Sequence, residues 1–443
     1  MDVRDLKALR EQLDSYVSLY ADRIKTRRSR KHLRTYVNGQ IGNLERKNIE
    51  AIALDAGVPP RSLQEFIGIH RWDEGGLCVR VQHLVQDRHG DENAIGPIDE
   101  TSFKKKGTKT AGVKRQYCGC TGKTDNCVVS VHLGYVTRDF QTLIDSDLYL
   151  PEEWLADKKR RREAGIPDTV HFRTKPQIAV DLLRRALANG VRIKYVPADE
   201  AYGRSAQFRS DVAAMGLIYV VEVPTSQSGW LKAPAVVQQR IRTVLAPGAP
   251  RCRRVDDIGK DSGRPKVAFH IKETGNGPVV WRAKARRFLP WDDNLPGEEC
   301  WLIIARNVLD GEMKYFLSNA PEDTSIELML HVAFSRSAIE RLFEDSKGEV
   351  GLDHFEVRRY KAIMRHMIVS MVSMLFLAEQ VQRLGGKKPG LDDLPSPQGR
   401  RSTTGIRRQR ERAQSPAAQG AHENPVLADK QPARGCQASR KPM

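Results

Sequence analysis

The stretch that decides the fold class runs over residues 174–224 and reads TKPQIAVDLLRRALANGVRIKYVPADEAYGRSAQFRSDVAAMGLIYVVEVP. Thr174 can cap a helix with Pro176 in its first turn, and the apolar spacing over QIAVDLLRRALAN continues this helix until Gly190. IKYVPADE then has the composition of a strand, a second helix follows around residues 205–215, and LIYVVEVP is another strand. Helices that alternate with buried strands in this way indicate an α/β fold.

Three further strands are predicted upstream of this stretch. They are AIGPIDE (residues 94–100), CVVSVHLGYVT (127–137) and FQTLIDSDLYL (140–150), with turn residues between them. The order over residues 86–225 is therefore strand, strand, strand, helix, strand, helix, strand, which predicts a mixed sheet. In such an order the first and fourth strands can lie side by side.

Residues 1–85 have the pattern of a helical region that is rich in basic side chains. Within it, NIEAIALDAGVPPRSLQEFIG (residues 48–68) has the outline of a helix-turn-helix, with a first helix that ends near Gly57 and a second that Ser62 can cap. The second helix of such a motif can enter the major groove of DNA. An ordinary helical hairpin explains the same pattern equally well.

The second half of the chain divides into three regions. Residues 226–320 contain Gly- and Pro-rich turns between the strand-like runs KVAFHI, VVWRAKA, CWLIIAR and KYFLS, which predicts a β-rich insert. Helical periodicity returns over residues 321–385 and ends in a long apolar helix. Residues 386–443 are rich in Pro, Gly, Ser, Gln and Arg and have almost no aliphatic runs, so we expect a disordered basic tail.

The net charge indicates a polyanionic partner. The chain has 73 Lys and Arg against 55 Asp and Glu, a formal charge of +18, and nucleic acid is the first candidate for its partner. A membrane surface is the second, but the apolar stretch at residues 368–378 is too short to span and the N-terminus has no apolar signal core. We therefore expect a cytoplasmic, nucleoid-associated protein without a membrane segment.

The seven cysteines are too sparse for a disulfide scaffold. The closest group is Cys118, Cys120 and Cys127, which has neither paired CxxC spacing nor a nearby histidine. Reduced, partly buried thiols are expected here rather than a zinc site.

Acidic residues end the two predicted strands that can be neighbours. Asp99 follows GPI at the end of the first strand, and Asp199 follows YVPA at the end of the fourth. Phosphodiester cleavage needs charge stabilisation on the attacking and leaving oxygens, which two metal ions roughly 3.5–4 Å apart supply. Mg²⁺ prefers hard oxygen ligands, so carboxylates at strand ends suit this chemistry.

A further acidic group lies on the predicted helix RSAIERLFEDSKGEVG (residues 336–351). Its charged residues fall on one helix face because they are spaced by four, four and three: Arg336, Glu340, Glu344 and Lys347. The opposing face is apolar: Ile339, Leu342 and Phe343. An exposed helix with i,i+4 ion pairs has the same pattern, so spacing alone leaves both interpretations open.

Four segments resemble the conserved blocks of bacterial insertion-sequence transposases of the DDE class, in the branch with a Tyr-Arg-Glu-Lys signature. They are IDETSFKKKGTKTAGVKRQYCGCTGKTDNC, DSDLYLPEEW, ADEAYG and IERLFEDSKGEVGLDHFEVR, and they occur in the family order. The resemblance implies a ribonuclease H-like core in residues 86–225 and 321–385, interrupted by the insert of residues 226–320. It also implies that residues 1–85 serve DNA binding and dimerisation.

The resemblance implies a role for particular residues. The metal ligands and catalytic carboxylates would be Asp99, Asp199 and Glu340. The third block also places two cations at the family spacing, Arg336 and Lys347, which would hold DNA phosphates. The signature tyrosine falls on Ala333, so this chain departs from the family pattern at one DNA contact.

Two rival carboxylates adjoin these positions, Glu100 and Glu344. Glu340 is preferred to Glu344 because only Glu340 leaves both Arg336 and Lys347 in register with the family. Asp99 is preferred to Glu100 because it occupies the family position.

A basic turn follows the first strand and contains Lys104, Lys105 and Lys106. These lysines are candidates for contact with DNA phosphates, although a solvated hairpin would have the same sequence. Trp230 and Trp281 lie in or near the insert, where an aromatic ring can stack on a flipped base, but burial is the preferred interpretation.

The expected function is that of a DNA transposase. It would cleave the ends of its mobile element and join them to target DNA with two Mg²⁺ or Mn²⁺ ions in each site. Its partners would be double-stranded DNA, as terminal inverted repeats and as target, and a second copy of the chain. The alternatives are a catalytically decayed transposase that only binds DNA, and a metal-dependent nuclease of the same fold that does not join.

Overall fold

The computed structural model describes residues 3–261, 263, 267–274 and 277–383, all within one compact unit. The helices of this part are α1 (Val3–Ser18), α2 (Arg27–Ile41), α3 (Ile49–Asp55), α4 (Pro60–Gly68), α5 (Glu74–His89), α6 (Glu152–Ala156), α7 (Lys158–Ala164), α8 (Lys175–Ala188), α9 (Glu200–Gly203), α10 (Ala206–Ala214), α11 (Val255–Asp261), α12 (Ile326–Ser335), α13 (Ser337–Val350) and α14 (Tyr360–Arg383). A single 3-10 turn is found at Ala21–Arg23.

The strands are β1 (Ile98–Lys104), β2 (Lys114–Cys118), β3 (Lys123–Val136), β4 (Gln141–Tyr149), β5 (Tyr195–Ala198), β6 (Ile218–Val223), β7 (Ser228–Trp230), β8 (Val236–Gln239), β9 (Arg242–Leu245), β10 (Arg253–Arg254), β11 (Val267–Thr274), β12 (Gly277–Asp292), β13 (Leu295–Pro296), β14 (Cys300–Asn307) and β15 (Met313–Ser318). Every strand predicted from the sequence is found among them. The sequence pattern does not predict β2, because KRQYC is polar and its side chains are mostly exposed.

β1 pairs with β3, and the segment before β1 lies beside β5. β3 runs antiparallel to β1, with Asp99 opposite His132, and β4 pairs with the other edge of β3. The segment that leads into β1 reaches β5 through Ile95, which bridges to Val136 on one side and to Tyr195, in parallel, on the other. β5 then pairs in parallel with β6. The fold is therefore a mixed α/β fold, and the predicted contact between the first and fourth strands is confirmed.

The strands of residues 226–320 continue this sheet. β15 pairs with β6, β14 pairs with β15, and β12 pairs with β14, all antiparallel. β8 and β9 form a separate two-stranded ribbon. The predicted β-rich composition is confirmed, but much of the region extends the central sheet. The domain boundaries at residues 85, 225, 320 and 385 remain predictions.

Helix α8 begins where the sequence predicts. The Thr174 hydroxyl accepts a hydrogen bond from the Gln177 backbone N–H, and the Gln177 side chain accepts one from the Thr174 N–H. This reciprocal cap satisfies N–H groups that a helix start leaves without partners, and Pro176 fits the first turn. α8 then packs its apolar face on β3 and β4.

The N-terminal helices pack around α14 and share its core. The Tyr36 hydroxyl and His366 Nδ1 are 2.9 Å apart, and the Gln40 amide donates to the Ser370 hydroxyl at 2.8 Å. By length and hydropathy α14 could cross a membrane, contrary to the sequence expectation, but 78% of its most apolar window is buried inside the protein. α14 is therefore placed as a central core helix.

The two helices of the predicted helix-turn-helix are α3 and α4. Gly57, with a φ of 63°, follows the first helix as predicted. The predicted cap at Ser62 is wrong: α4 begins at Pro60, Pro59 occupies the cap position without a side-chain hydrogen bond, and Ser62 lies inside the first turn. Proline is favoured at the first helical position because its φ is already helical. The expected disordered tail, residues 386–443, lies outside the described residues.

Candidate active site

Asp99 lies on β1, next to the point where the chain bridges to β5. The strand extends to Lys104, so Asp99 is near its beginning and not at its end as predicted. Its Oδ1 accepts a hydrogen bond from the Glu100 N–H at 2.8 Å, and its Oδ2 accepts one from Arg336 at 2.7 Å. Burial, together with the negative charge of Asp199, raises the pKa of Asp99 to about 7, against the effect of Arg336.

Asp199 follows β5 directly, as predicted. Its Oδ1 accepts hydrogen bonds from the N–H groups of Ala201 at 2.9 Å and Tyr202 at 3.4 Å, so the carboxylate caps the short helix α9. A cap fixes the direction of a carboxylate because its oxygen must face the helix N-terminus. The sheet and this cap together hold Asp199 close enough to Asp99 for its charge to raise the pKa of Asp99.

Arg336 connects the strand and the helix that carry the predicted site. It lies between α12 and α13, where its Nη1 is 2.7 Å from Asp99 Oδ2 and its Nη2 is 2.7 Å from Glu340 Oε1. Burial lowers the pKa of Arg336, but the charges of Asp99, Glu340 and Asp199 outweigh this effect and raise it. The residue predicted to contact DNA phosphate thus binds two of the predicted carboxylates.

The three predicted metal ligands do not all lie close together. Asp99 and Asp199 are neighbours with hard oxygen donors, which suit a divalent cation. Glu340 is on the exposed side of α13, with 54% of its side chain accessible, and contacts Asp99 only through Arg336. Across the described residues, no three His, Cys, Asp or Glu side chains converge as a metal group would require. The donor set fits a cation at Asp99 and Asp199, and Glu340 would join it only by leaving Arg336.

The two rival carboxylates have different surroundings. Glu100 follows Asp99 in β1, so its side chain points to the other face of the strand. There it forms an ion pair with Lys175 and accepts a hydrogen bond from the Tyr202 hydroxyl at 3.2 Å. Glu344 is exposed on α13, one turn beyond Glu340.

The three lysines of the predicted basic turn have different surroundings. Lys104 pairs with Asp125, with Nζ and Oδ2 3.0 Å apart. Lys105 points inward, where it donates to the Phe355 carbonyl at 2.6 Å, and burial lowers its pKa to about 8. Lys105 is therefore poorly placed for a DNA contact, whereas Lys106 is exposed. Lys104 is the last residue of β1, and the other two lysines lie in the turn that follows it, so the contacts of each side chain and not the alternation of a strand set its direction.

Lys347, the second predicted phosphate contact on α13, is half-buried, and its Nζ lies 5.9 Å from the centre of the Phe103 ring. The apolar face of α13 is buried as predicted: Ile339, Leu342 and Phe343. This face fixes the rotation of the helix, so Arg336 reaches Asp99 on β1 while Glu340 lies beside Arg336 at the surface.

The aromatic and sulfur residues follow their structural interpretations. Trp230 and Trp281 are both 4% exposed, so the preferred interpretation of burial is confirmed. Trp230 donates its indole N–H to the Pro250 carbonyl at 2.7 Å. Cys118 and Cys120 are free thiols whose sulfurs are 3.2 Å apart.

Sequence reasoning missed three residues around the site. Lys175 and Tyr202 hold Glu100 away from Asp99, as described above. His132, opposite Asp99 on β3, is fully buried with Nε2 2.6 Å from the Ser130 hydroxyl, and burial lowers its pKa to about 3. A polar residue within the apolar run CVVSVHLGYV was the available signal for His132. No local signal marks Lys175, because its contact with Glu100 spans 75 positions.

Comparisons with known proteins agree with the sequence resemblance. Residues 19–292 match the family model described as DDE superfamily endonuclease, a range that includes Asp99 and Asp199 but not Glu340. The chain is 34% identical over 221 residues to the probable transposase for insertion sequence element IS701 from Microchaete diplosiphon. This match covers 49% of the chain and 54% of the relative, so the chain spans about half the length of the curated relative.

Among solved structures, the crystal structure of the NurA nuclease from Sulfolobus solfataricus matches 58% of this chain and 79% of its own chain. The sequence identity is 8% and the TM-score is 0.25, a value too low to support an argument about fold or function.

Proposed function

The chain belongs to the DDE superfamily of endonucleases, and from this premise we propose that it is a DNA transposase of an insertion sequence. It would cleave the ends of its element and join the freed 3′-hydroxyl groups to target DNA. Endonucleases of this family generally use divalent metal ions. Mg²⁺ or Mn²⁺, with two ions in each site, is the proposed cofactor.

One arrangement carries the proposal. Asp99 on β1, Asp199 after β5 and Glu340 on α13 come from segments far apart in the chain, and Arg336 binds the first and last of them. Burial and the charge of Asp199 raise the pKa of Asp99. A raised carboxyl pKa beside a second carboxylate is typical of functional sites, including those that bind a cation. An ion pair between Asp99 and Arg336 with a purely structural role would not need Asp199 beside it.

The proposed roles follow from these contacts. Asp99, Asp199 and Glu340 would hold the cations, which when bound activate water and stabilise charge on the attacking and leaving oxygens. Arg336 holds Asp99 and Glu340 in place through its two Nη atoms before DNA binds. Its planar guanidinium can exchange a carboxylate for a phosphate, because both groups accept two parallel N–H bonds.

The finer architecture is part of the same proposal. The mixed arrangement of strands, with β1 paired to β3, the segment before β1 bridged to β5, and helices α8 and α13 against the strands, supports the ribonuclease H-like core that the resemblance implies. The exposed basic residues at the start of α2 support a DNA-binding role for the N-terminal helices. Two element ends must be brought together, so a homodimer on DNA is proposed, in the cytoplasm at the nucleoid.

A plasmid cleavage assay tests the proposal. The substrate is a supercoiled plasmid with the inverted repeats that flank the coding region, incubated with the full chain and Mg²⁺ or Mn²⁺. We expect free 3′-hydroxyl ends and joined products from the parent, and a loss of at least about 10³-fold, roughly 4 kcal/mol of barrier, in Asp99→Asn.

Glu100→Gln is the matched control, since Glu100 is the next residue in β1 but faces Lys175. It should retain cleavage within about tenfold. Cleavage without joined products would indicate a nuclease of the same fold. Binding of the repeats without any cleavage would indicate a DNA-binding protein that has lost catalysis, and equal cleavage by Asp99→Asn would refute the assigned site.

A further inference from the structure

The hairpin of β8 and β9 is not paired into the main sheet, although β9 lies against β13. Its two strands pair with each other from Val236 opposite Leu245 to Gln239 opposite Arg242, and with no other strand of the described residues. All four residues of β8 are exposed. A two-stranded ribbon with few supporting contacts is marginally stable in water, so a partner that covers its exposed part is expected.

The tip of this hairpin has an unusual composition. Ile241 is 93% exposed and has Arg240 before it and Arg242 after it. It is the most exposed large apolar side chain in the part of the chain that the structure describes. Single exposed aliphatic residues are common on protein surfaces, but this one is at the tip of a ribbon between two guanidinium groups.

The backbone at the tip adds a second observation. Arg240 has a φ of 55°, in the left-handed region that favours glycine or asparagine. Two-residue hairpin turns normally place such residues there, since a side chain raises the energy of the turn. The hairpin therefore carries a cation at a position where glycine would be more stable, which indicates that the Arg240 side chain has a use.

The charge around the hairpin has one sign. Residues 223–255 contain six Lys and Arg and no Asp or Glu. Arg253 and Arg254 are neutralised by Asp261 and Asp256. By contrast, no ion pair is found within the described residues for the two arginines of the tip. The two arginines and the exposed isoleucine of the tip therefore fit a polyanionic partner that also has an apolar surface.

We propose that this tip enters the minor groove of double-stranded DNA, with Ile241 as a wedge between two base pairs. Arg240 and Arg242 would bind in the groove and to the adjacent phosphates. Minor-groove proteins combine basic residues with an inserted aliphatic side chain in this way, and the insertion unstacks one step and bends the duplex. The inference rests on the proposed function in one respect, that DNA is the partner.

A second protein molecule is the competing occupant, and the charge argues against it. The cores of protein interfaces are depleted of charged residues, whereas here each neighbour of Ile241 in the chain is an arginine. DNA offers phosphates within reach of both arginines and stacked bases to the isoleucine. The experiment below distinguishes these occupants.

The test measures binding and bending separately, in EDTA so that no cleavage occurs. The full chain is titrated into a duplex of the terminal repeat labelled with a fluorescence donor and acceptor at its two ends. Anisotropy gives the affinity, and energy transfer reports the bend. We expect the parent to increase energy transfer and Ile241→Ala to bind within about threefold of the parent while losing most of that increase.

Leu309→Ala is the matched control, because Leu309 is 60% exposed in the turn between β14 and β15 but is followed by Asp310. It should bend DNA as the parent does. Arg240→Gly provides a sign test: removing strain should raise the melting temperature, while DNA affinity should fall at least about threefold.

Several results would overturn the inference. Equal energy transfer for the parent and Ile241→Ala would show that Ile241 is no wedge. A change in oligomeric state of Ile241→Ala, seen by light scattering without DNA, would assign the tip to a protein interface. If the parent bound no duplex at all, the proposed function would fail together with the inference, whereas a parent that binds without a role for the tip would refute the inference alone.

Discussion

The candidate site has two halves that are held in place differently: a strand half, Asp99 and Asp199, and a helix half, Glu340. Asp99 and Asp199 are held by neighbouring strands, with backbone N–H groups that fix an oxygen of each. Glu340 is on a helix, is 54% exposed and has Arg336 as its ion-pair partner. The strand half is therefore set by the sheet, while the helix half depends on a single side chain.

This difference predicts which part of the site moves when a metal ion binds. Backbone hydrogen bonds in the sheet persist whether or not a cation is present, because they belong to the fold. The ion pair of an exposed carboxylate contributes little, commonly 0–1 kcal/mol, so Glu340 can exchange its partner at low cost. Metal binding should thus move the helix half and leave the strand half in place.

The largest expected effect is on DNA cleavage, and it tests which glutamate of α13 is the metal ligand. Glu340→Gln should reduce DNA cleavage by about 10³-fold or more, because a neutral amide stabilises a bound cation poorly. Glu344→Gln, one helical turn away, should retain cleavage within about tenfold. Product formation at saturating Mg²⁺ measures both variants. The reverse result would assign the site to Glu344 and make Glu340 a plain partner of Arg336.

The second prediction concerns Arg336, which joins the two halves. Arg336→Gln should lower the free energy of unfolding of the metal-free protein at pH 8 by about 2–3 kcal/mol, because it leaves the buried Asp99 without its partner. Urea denaturation measures the change. The effect should shrink at pH 5, where Asp99, with a pKa of about 7, is protonated.

A double variant controls for simple loss of packing. Asp99→Asn combined with Arg336→Gln should recover most of the stability lost in Arg336→Gln, because no buried charge is then unpaired. If the two losses simply add, Arg336 does not couple the strand and the helix.

The contrast between the strand half and the helix half also explains which features of the site the sequence predicts. Asp199 was placed correctly because a strand that ends in Asp, followed by a helix start, is a local pattern. The sequence places Asp99 at the end of its strand, but β1 continues past it to Lys104 because polar residues such as Thr101 and Ser102 are buried in the sheet. Tertiary contacts override the pattern of a short strand.

Contacts between distant segments were beyond local reasoning. The pairing of Glu100 with Lys175 and the inward direction of Lys105 depend on how β1 packs against α8 and the Phe355 segment. The helix spacing did predict that Arg336 and Glu340 share a face. It did not predict that Arg336 also binds Asp99, which requires the position of α13 on the sheet.

The third prediction uses the raised pKa of Asp99. A carboxyl with a folded pKa of about 7 and an ordinary value of 3.8 favours the folded state when protonated, so its contribution to stability falls as pH rises from about 4 to 7. The melting temperature of Asp99→Asn minus that of the parent should therefore increase by about 2 °C or more between pH 5 and pH 8 in EDTA.

Mg²⁺ should narrow this difference at pH 8, because a cation at Asp99 and Asp199 stabilises the parent and not the variant. Glu344→Gln, an exposed change, should show no pH-dependent difference from the parent. A difference that stays constant from pH 5 to pH 8 would mean that the burial of Asp99 does not control its ionisation.

The smallest expected effect separates two adjacent lysines beside the strand half. Lys106→Ala should weaken DNA binding about threefold and reduce the slope of log affinity against log salt by about 1, because an exposed cation that contacts phosphate releases a counterion. Lys105→Ala should leave that slope unchanged but lower the melting temperature, since its Nζ donates to the Phe355 carbonyl and lies 3.4 Å from the centre of the ring. Anisotropy titrations at three salt concentrations measure both slopes. A reduced slope for Lys105→Ala would show that this side chain turns outward on DNA, and the strand half would then be as mobile as the helix half.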